Sequence, residues 1–290
     1  MKLTIFTPTY NRAYIIENLY RSLQRQTCTD FEWLVVDDGS SDNTAELFEI
    51  WQKEANPFPV RYYRQENGGK CRAINRGLDL AAGELFFTVD SDDYLTDDAV
   101  EKVISWVAAL PEGENYCGVA GNLGVSPEQT PNRIFTGSYL DGTALDRYGE
   151  IDGERAMVFY TDIHRKYLYP VFSGERFMTE AVSWNRMAAD GYKVRFFNDI
   201  IWIYEYQEGG LTKAGSRLFL DNPRGYGLWL REKAEFSQAT AEKKFRMYYT
   251  FTCDLFERLS PKEIAACIDA PRSLIFLICG FRKLLTTFRK

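Results

Sequence analysis

Four short apolar segments alternate with helix-periodic stretches over the first 110 residues, and that alternation leaves the chain few ways to fold. Residues 2–7, 31–36, 60–63 and 85–89 are rich in β-branched and aromatic side chains, as strands buried on both faces require. Between them Ile15, Leu19 and Leu23 recur at helical spacing over residues 12–26. Leu47, Phe48 and Trp51 follow a polar turn in which Asp42 is a candidate N-cap. Ala73, Ile74, Gly77, Leu78 and Ala81 mark a third helix that stops at Gly83, and Val100, Ile104 and Val107 a fourth. A βαβαβαβ order predicts a doubly wound, mostly parallel sheet flanked by helices. The loops after its strands, residues 7–12, 37–43, 67–72 and 90–93, should open on one sheet edge, where ligands bind in such folds.

The last of these strands runs into Asp90-Ser91-Asp92-Asp93, three carboxylates within four residues. Crowded carboxylates repel unless a cation neutralises them, and their hard oxygens suit Mg²⁺ or Mn²⁺. The competing reading is a helix cap, with Asp92 or Asp93 opening the next helix. Elsewhere at the edge, Asp37 and Asp38 could accept from a base N–H or from ribose hydroxyls, or could cap a helix in a solvated turn. Tyr10 could stack on a base or simply pack. Gly68-Gly69 leaves room for a ligand beside a helix N-terminus, where Lys70 and Arg72 add positive charge. Neither GxGxxG nor GxxxxGK[ST] is present, so dinucleotide oxidoreduction and P-loop chemistry are unsupported.

Composition excludes several further classes. A net charge of −6 argues against nucleic acid as a partner. Six cysteines without a CxxC pair form neither a zinc framework nor a disulfide scaffold, which fits a reducing compartment. A single histidine, His164, argues against a histidine metal site or a Ser-His-Asp triad and reads as a surface or packing residue. The first strand begins at Leu3 without a signal peptide ahead of it, and no apolar run reaches the ~18 residues of a membrane span. A cytoplasmic location is therefore expected.

Beyond Pro111 the pattern loosens. Residues 118–122, 133–136, 194–197 and 200–204 are strand candidates, residues 141–165 show no strong period, and residues 175–188 read as a turn into a helix. Helical stretches follow at 219–230, 240–259 and 261–268. The end differs in kind: Leu274-Ile275-Phe276-Leu277-Ile278-Cys279-Gly280-Phe281 is flanked by Arg and Lys, with no acidic residue after Asp269. Residues 272–290 fit a helix lying in the interface of an anionic membrane, or a last core helix with a basic end.

Thr7-Pro8-Thr9-Tyr10-Asn11-Arg12, Val35-Val36-Asp37-Asp38-Gly39-Ser40-Ser41-Asp42-Asn43-Thr44, Asn67-Gly68-Gly69-Lys70, Ala73-Ile74-Asn75-Arg76-Gly77 and Val89-Asp90-Ser91-Asp92-Asp93 together resemble the family 2 glycosyltransferases of GT-A fold. Singly each motif is weak; in this order over about 100 residues they are specific. Ser173-Gly174-Glu175-Arg176-Phe177-Met178-Thr179-Glu180 and Gly209-Gly210-Leu211-Thr212 look like that family's less regular second half.

The resemblance implies an inverting transfer of one sugar from a nucleotide-diphosphate sugar, with UDP favoured, to a glycan or lipid-linked acceptor, using a divalent metal. By motif position Pro8, Tyr10 and Arg12 would line the nucleotide pocket and Asp38 would bind the base. Asp90 would face ribose or metal, Asp92 would hold the metal, and Asp93 would support it or contact the donor sugar. Lys70 and Arg72 would reach the nucleotide or diphosphate. The base that deprotonates the acceptor would be Glu180, with Glu175 as alternative; many members carry Glu-Asp where this chain has Glu180-Ala181. The implied domains are residues 1–215 for the GT-A domain, with a nucleotide half at 1–110 and an acceptor half at 111–215, and residues 216–290 for a helical extension. A lipid-linked acceptor would place the enzyme peripherally on the inner face of the cell membrane, in cell-envelope or capsule polysaccharide synthesis. Two competing readings are a non-catalytic nucleotide or glycan-binding module of a membrane complex, and a sugar-nucleotide pyrophosphorylase. The latter usually has a Gly-rich basic loop where this chain has Thr7-Pro8-Thr9-Tyr10.

Overall fold

The computed structural model describes residues 1–148, 151, 153–205 and 215–287. They form two compact units, Met1–Leu168 with Arg186–Glu208, and Tyr169–Asn185 with Gly209–Lys290.

The first unit is built on one mixed sheet. Its strands are β1 (Leu3–Thr9), β2 (Phe31–Asp37), β3 (Val60–Arg64), β4 (Leu85–Thr88), β5 (Tyr94–Leu95), β6 (Tyr116–Gly124), β7 (Tyr139–Gly142), β8 (Arg155–Tyr160) and β9 (Lys193–Ile203). They lie in the order β3-β2-β1-β4-β8-β6-β9-β5, with β7 also pairing β9. The expected parallel arrangement holds for β3, β2, β1 and β4 and again for β6 with β9. β8 enters antiparallel between β4 and β6, and β5 and β7 run antiparallel to β9.

Helices α1 (Glu17–Gln24), α2 (Thr44–Trp51), α3 (Lys70–Leu80) and α4 (Ala99–Ala108) are the four that apolar spacing predicts. Their bounds are narrower, because the polar loops consume residues. The Arg12 carbonyl accepts from the amides of Ile15 and Ile16, so α1 begins only at Glu17. α2 begins at Thr44 with Asn43 at the cap position, and Asp42 accepts from the Thr44 amide at 3.2 Å instead of capping as N-cap itself. The competing helix-cap reading of Asp92 or Asp93 would start a helix at Tyr94-Leu95; those residues instead pair with Ile203 and Trp202 of β9, and α4 starts at Ala99.

An aromatic cluster fills one face of the sheet: Tyr20 stacks on Trp51 with centroids 4.4 Å apart and on Trp33 at 5.7 Å. Such side chains bury enough apolar area to dominate a core. The buried Glu32 is satisfied by Thr4 Oγ1, the Ala82 amide and Arg61 Nη1, each at 2.7 Å, so its charge is not stranded. A Cβ on Gly77 would lie 2.3 Å from the Phe6 ring, which is why α3 carries glycine where it crosses β1.

Later expectations need adjustment. Residues 133–136 form no strand; the strand there is β7, six residues on. The 194–197 and 200–204 candidates are one strand, β9. Residues 141–165 contain β8, a short run from Ala156 to Tyr160 that opens on Arg155, a charged residue that is nonetheless buried. His164 is a packing residue, buried against Phe86 and Phe159.

In the second unit, helices Ser216–Asp221, Pro223–Phe236, Ala241–Leu255, Pro261–Ile268 and Arg272–Thr287 gather around Phe251, Leu255, Ile264, Ile268, Ile275 and Ile278. Ser260 and Glu263 form a reciprocal capping box at one helix start. No helix among the described residues is long and apolar enough to cross a membrane.

Candidate functional site

The loops after β1, β2, β3 and β4 are knitted together at one edge of the sheet. The Asp38 amide donates to the Thr9 carbonyl at 2.8 Å. The Asn11 amide donates to Ser40 Oγ at 2.8 Å, and Asn11 Oδ1 accepts from the Ser41 amide at 2.8 Å. Asn11 holds this place at φ +53, a left-handed conformation that asparagine tolerates better than most residues. Asp42 Oδ2 adds a bond from the Ala13 amide at 3.0 Å. Tyr10 projects from the edge half exposed, whereas Pro8 is buried within β1.

Asp38 turns inward. Its carboxylate accepts from the Gly69 amide at 2.7 Å, from Gln65 Nε2 at 2.8 Å and from the Gly68 amide at 2.9 Å. The residue is 5% exposed. It thereby shapes the turn ahead of α3, where Gly69 sits at φ +93. Arg72 lies over Gly68, so close that a Cβ there would meet its Cδ at 2.5 Å. Its neighbour Asp37 is buried, with Oδ1 accepting from the Ser40 amide and Oδ2 from the Tyr62 hydroxyl.

The three carboxylates after β4 part company. Asp90 pairs with Lys70 Nζ at 2.6 Å, and Asp92 lies 3.7 Å from Arg12 Nη2. Burial first, and the charge of Asp90 second, push the Asp92 carboxyl above the usual range against the pull of Arg12. Asp93 faces the other way, toward the end of β9: Trp202 Nε1 donates to it at 2.8 Å and the Glu205 amide at 3.2 Å. Burial and then the charge of Asp90 push Asp93 up to about 8, opposed by the Trp202 indole. The structure thus brings Arg12, Lys70, Asp90 and Asp92 into one cluster of opposed charges beside the Asp38-held turn.

Sequence reasoning missed four contributors here. Gln65, Ser40 and Asn11 shape the loops, and Trp202 anchors Asp93. Asn11 alone carried a local signal, as an asparagine directly after a strand end.

The two candidate bases lie in the second unit. Glu175 Oε1 and Oε2 accept from the amides of Arg224 and Gly225 at 2.8 and 2.9 Å, closing the N-terminus of helix Pro223–Phe236. Asn222 Oδ1 accepts from the amides of Arg176 and Phe177 alongside. Glu180 directly precedes helix Ala181–Ala189, and its carbonyl accepts from the Tyr169 hydroxyl at 3.4 Å. The Gly209-Gly210-Leu211-Thr212 motif lies outside the described residues.

With this geometry in view, the family model described as "Glycosyl transferase family 2" matches residues 4–177, more than half of the chain and all four loops after β1 to β4. The chain belongs to glycosyl transferase family 2. Among relatives of this glycosyltransferase, the GalNAc(5)-diNAcBac-PP-undecaprenol beta-1,3-glucosyltransferase of Campylobacter jejuni is 33% identical over 142 residues, 48% of this chain and 44% of that protein. The match therefore spans under half of that relative's length. Glycosyltransferase GlyG of Streptococcus pneumoniae is 25% identical over 226 residues, 73% of either chain. In fold, the glycosyltransferase resembles residues 1–349 of S. aureus TarS, solved in complex with UDP-GlcNAc, with a TM-score of 0.64, 17% identity and 98% and 92% of the two chains covered. It also resembles the mannosyltransferase PcManGT of Pyrobaculum calidifontis, solved with GDP-Man and Mn²⁺, with a TM-score of 0.58, 17% identity and coverage of 98% and 80%.

Proposed function

We propose that this glycosyltransferase moves one sugar, with inversion, from a nucleotide-diphosphate sugar, with UDP favoured, to a hydroxyl of a glycan or lipid-linked acceptor. The observation that carries the reading is the charge cluster at the strand edge: two carboxylates and two cations beside a glycine turn. TarS binding UDP-GlcNAc and PcManGT binding GDP-Man on the same fold support a nucleotide-sugar donor.

In this reading Pro8 and Tyr10 line the nucleotide, and Asp38 serves the base either directly or by holding the Gly68-Gly69 turn against it. Lys70 and Arg72 meet the anionic diphosphate near the N-terminus of α3, where the helix dipole favours negative charge. Asp90 and Asp92 fit a divalent metal: their oxygens are hard ligands, and the repulsion from Asp90, which adds to burial in pushing Asp92 up, is what a cation would relieve. No group of three or more His, Cys, Asp or Glu side chains converges for a metal among the described residues. Mg²⁺ and its kin are commonly held by one or two carboxylates with substrate phosphates completing the shell. When bound, such an ion supplies charge stabilisation for the departing diphosphate. Asp93, held by Trp202, would orient the loop that carries Asp90 and Asp92. Glu180 is the preferred base, because both oxygens of Glu175 are engaged in closing a helix.

We assign the donor to residues 1–110 and the acceptor to 111–215, with 216–290 as the extension. The Campylobacter relative's name specifies an undecaprenol-linked glycan, and other relatives are named chondroitin synthase and poly(ribitol-phosphate) beta-N-acetylglucosaminyltransferase. These names support a role in cell-envelope or capsule glycan synthesis; the placement peripheral to the inner face of the membrane is our own, argued from a lipid-linked acceptor.

The test is nucleoside diphosphate release from a panel of nucleotide sugars with Mg²⁺ or Mn²⁺. Wild type should cleave one donor slowly without acceptor, and Asp92→Asn should lose that cleavage by about 10²-fold or more. Glu180→Gln should bind the same donor but lose transfer to acceptor by about 10²–10⁴-fold. No binding or cleavage of any donor would turn the reading toward a non-catalytic module.

A further inference from the structure

Helix Arg272–Thr287 is apolar on two faces, and among the described residues only one of them is packed against a partner. Ile275, Ile278 and Cys279 are buried against Phe251, Leu255, Ile264 and Ile268. Phe276, Leu277, Phe281 and Leu284 are 54%, 68%, 55% and 59% exposed. Counted at 3.6 residues per turn they share one side of the helix, with the small residues Ser273 and Gly280 among the positions between them. Four large exposed apolar side chains on one short helix are more than scattered surface residues explain.

The surrounding charge selects the occupant. Arg272 and Lys283 are exposed and border one edge of the apolar side on the helical projection, next to Phe276. Five basic residues and no acidic one follow Asp269, in a chain whose net charge is −6. An apolar face edged with cations suits the boundary between acyl chains and anionic headgroups.

We infer that the outer face of helix Arg272–Thr287, carrying Phe276, Leu277, Phe281 and Leu284, seats into the surface of an anionic lipid bilayer while its inner face stays packed in the second unit. This deepens the membrane placement proposed above and rests on it, but not on the donor chemistry. The binding element is part of a folded helical cluster, so docking requires no folding of a loose tail. Each exposed apolar side chain gains burial on contact, and the basic border adds attraction that salt weakens.

The experiment is flotation of the full chain with phosphatidylcholine vesicles, with and without phosphatidylglycerol. Wild type should float with the anionic vesicles, less at high salt, and little with phosphatidylcholine alone. Leu277→Glu with Phe281→Glu should cut partitioning about tenfold or more while leaving thermal unfolding unchanged. Leu277→Gln with Leu284→Gln serves if the charged pair does not fold. Absence of flotation in wild type, or equal flotation of the variants, overturns the inference. So does a dimer in light scattering that the variants split, which would assign the face to a second copy. Donor cleavage is read on the same samples without lipid: intact cleavage with no flotation overturns this inference alone, and flotation without cleavage overturns the catalytic reading alone.

Discussion

Each oxygen of the Asp38 carboxylate is met by an amide of the 68–69 turn, and Gln65 adds a third donor. Asp38→Ala strips acceptors from donors in a largely buried setting, a loss of about 1–3 kcal/mol. Urea denaturation should show that loss, and equilibrium titration should show weaker binding of the nucleoside diphosphate alone. Asp38→Asn, which keeps one acceptor oxygen, should lie between. His164 acts through its environment in a different way. Burial among Phe86 and Phe159 pushes its pKa down from 6.5 to about 3. Between those values the unfolded chain binds a proton that the folded chain refuses, so stability falls as pH falls through the window. The slope from this one group is up to about 1.4 kcal/mol per pH unit, and above 6.5 it vanishes. His164→Gln has no such proton. Wild-type stability should therefore decline faster than that of the variant from pH 6.5 toward 4, measured by parallel denaturant melts.

At the scale of elements, helix starts do double work. Helix Pro223–Phe236 has no cap from Asn222, whose side chain is turned to other amides, and Glu175 closes it from 49 residues away. Glu175→Ala should cost about 1 kcal/mol of stability, the usual worth of a cap. It should leave acceptor-dependent transfer within a few-fold of wild type, whereas Glu180→Gln should lower it by about 10²–10⁴-fold; the reverse result would make Glu175 the base. The sheet has its own division of labour. β1 to β4 run parallel, so their C-terminal ends and following loops meet at one edge, and β8 pairs antiparallel with β4 to continue the sheet beyond them. β9 then reaches the carboxylate loop through Trp202, which ties Asp93 to a strand 109 residues later.

In the whole molecule the sheet belongs to one unit, and Tyr169–Asn185 group with the C-terminal helices in the other. The parallel half of the sheet, its four polar loops and the family were legible in the amino-acid order alone. Apolar runs, helical spacing and turn residues are local, so they can be read within a window of a few residues. Not legible there were β8, a short apolar run opening on a buried arginine inside a charged stretch, and the place of β7, whose half-exposed residues carry weak pattern. What only the tertiary structure decided is where the carboxylates point. Asp38 turns to amides 30 and 31 residues on, Asp93 to an indole 109 residues on, and Glu175 to a helix start 49 and 50 residues on. Sequence spacing places an aspartate at a strand end, but its hydrogen-bond partner is set by which distant backbone the fold brings within 3 Å, and no local periodicity records that.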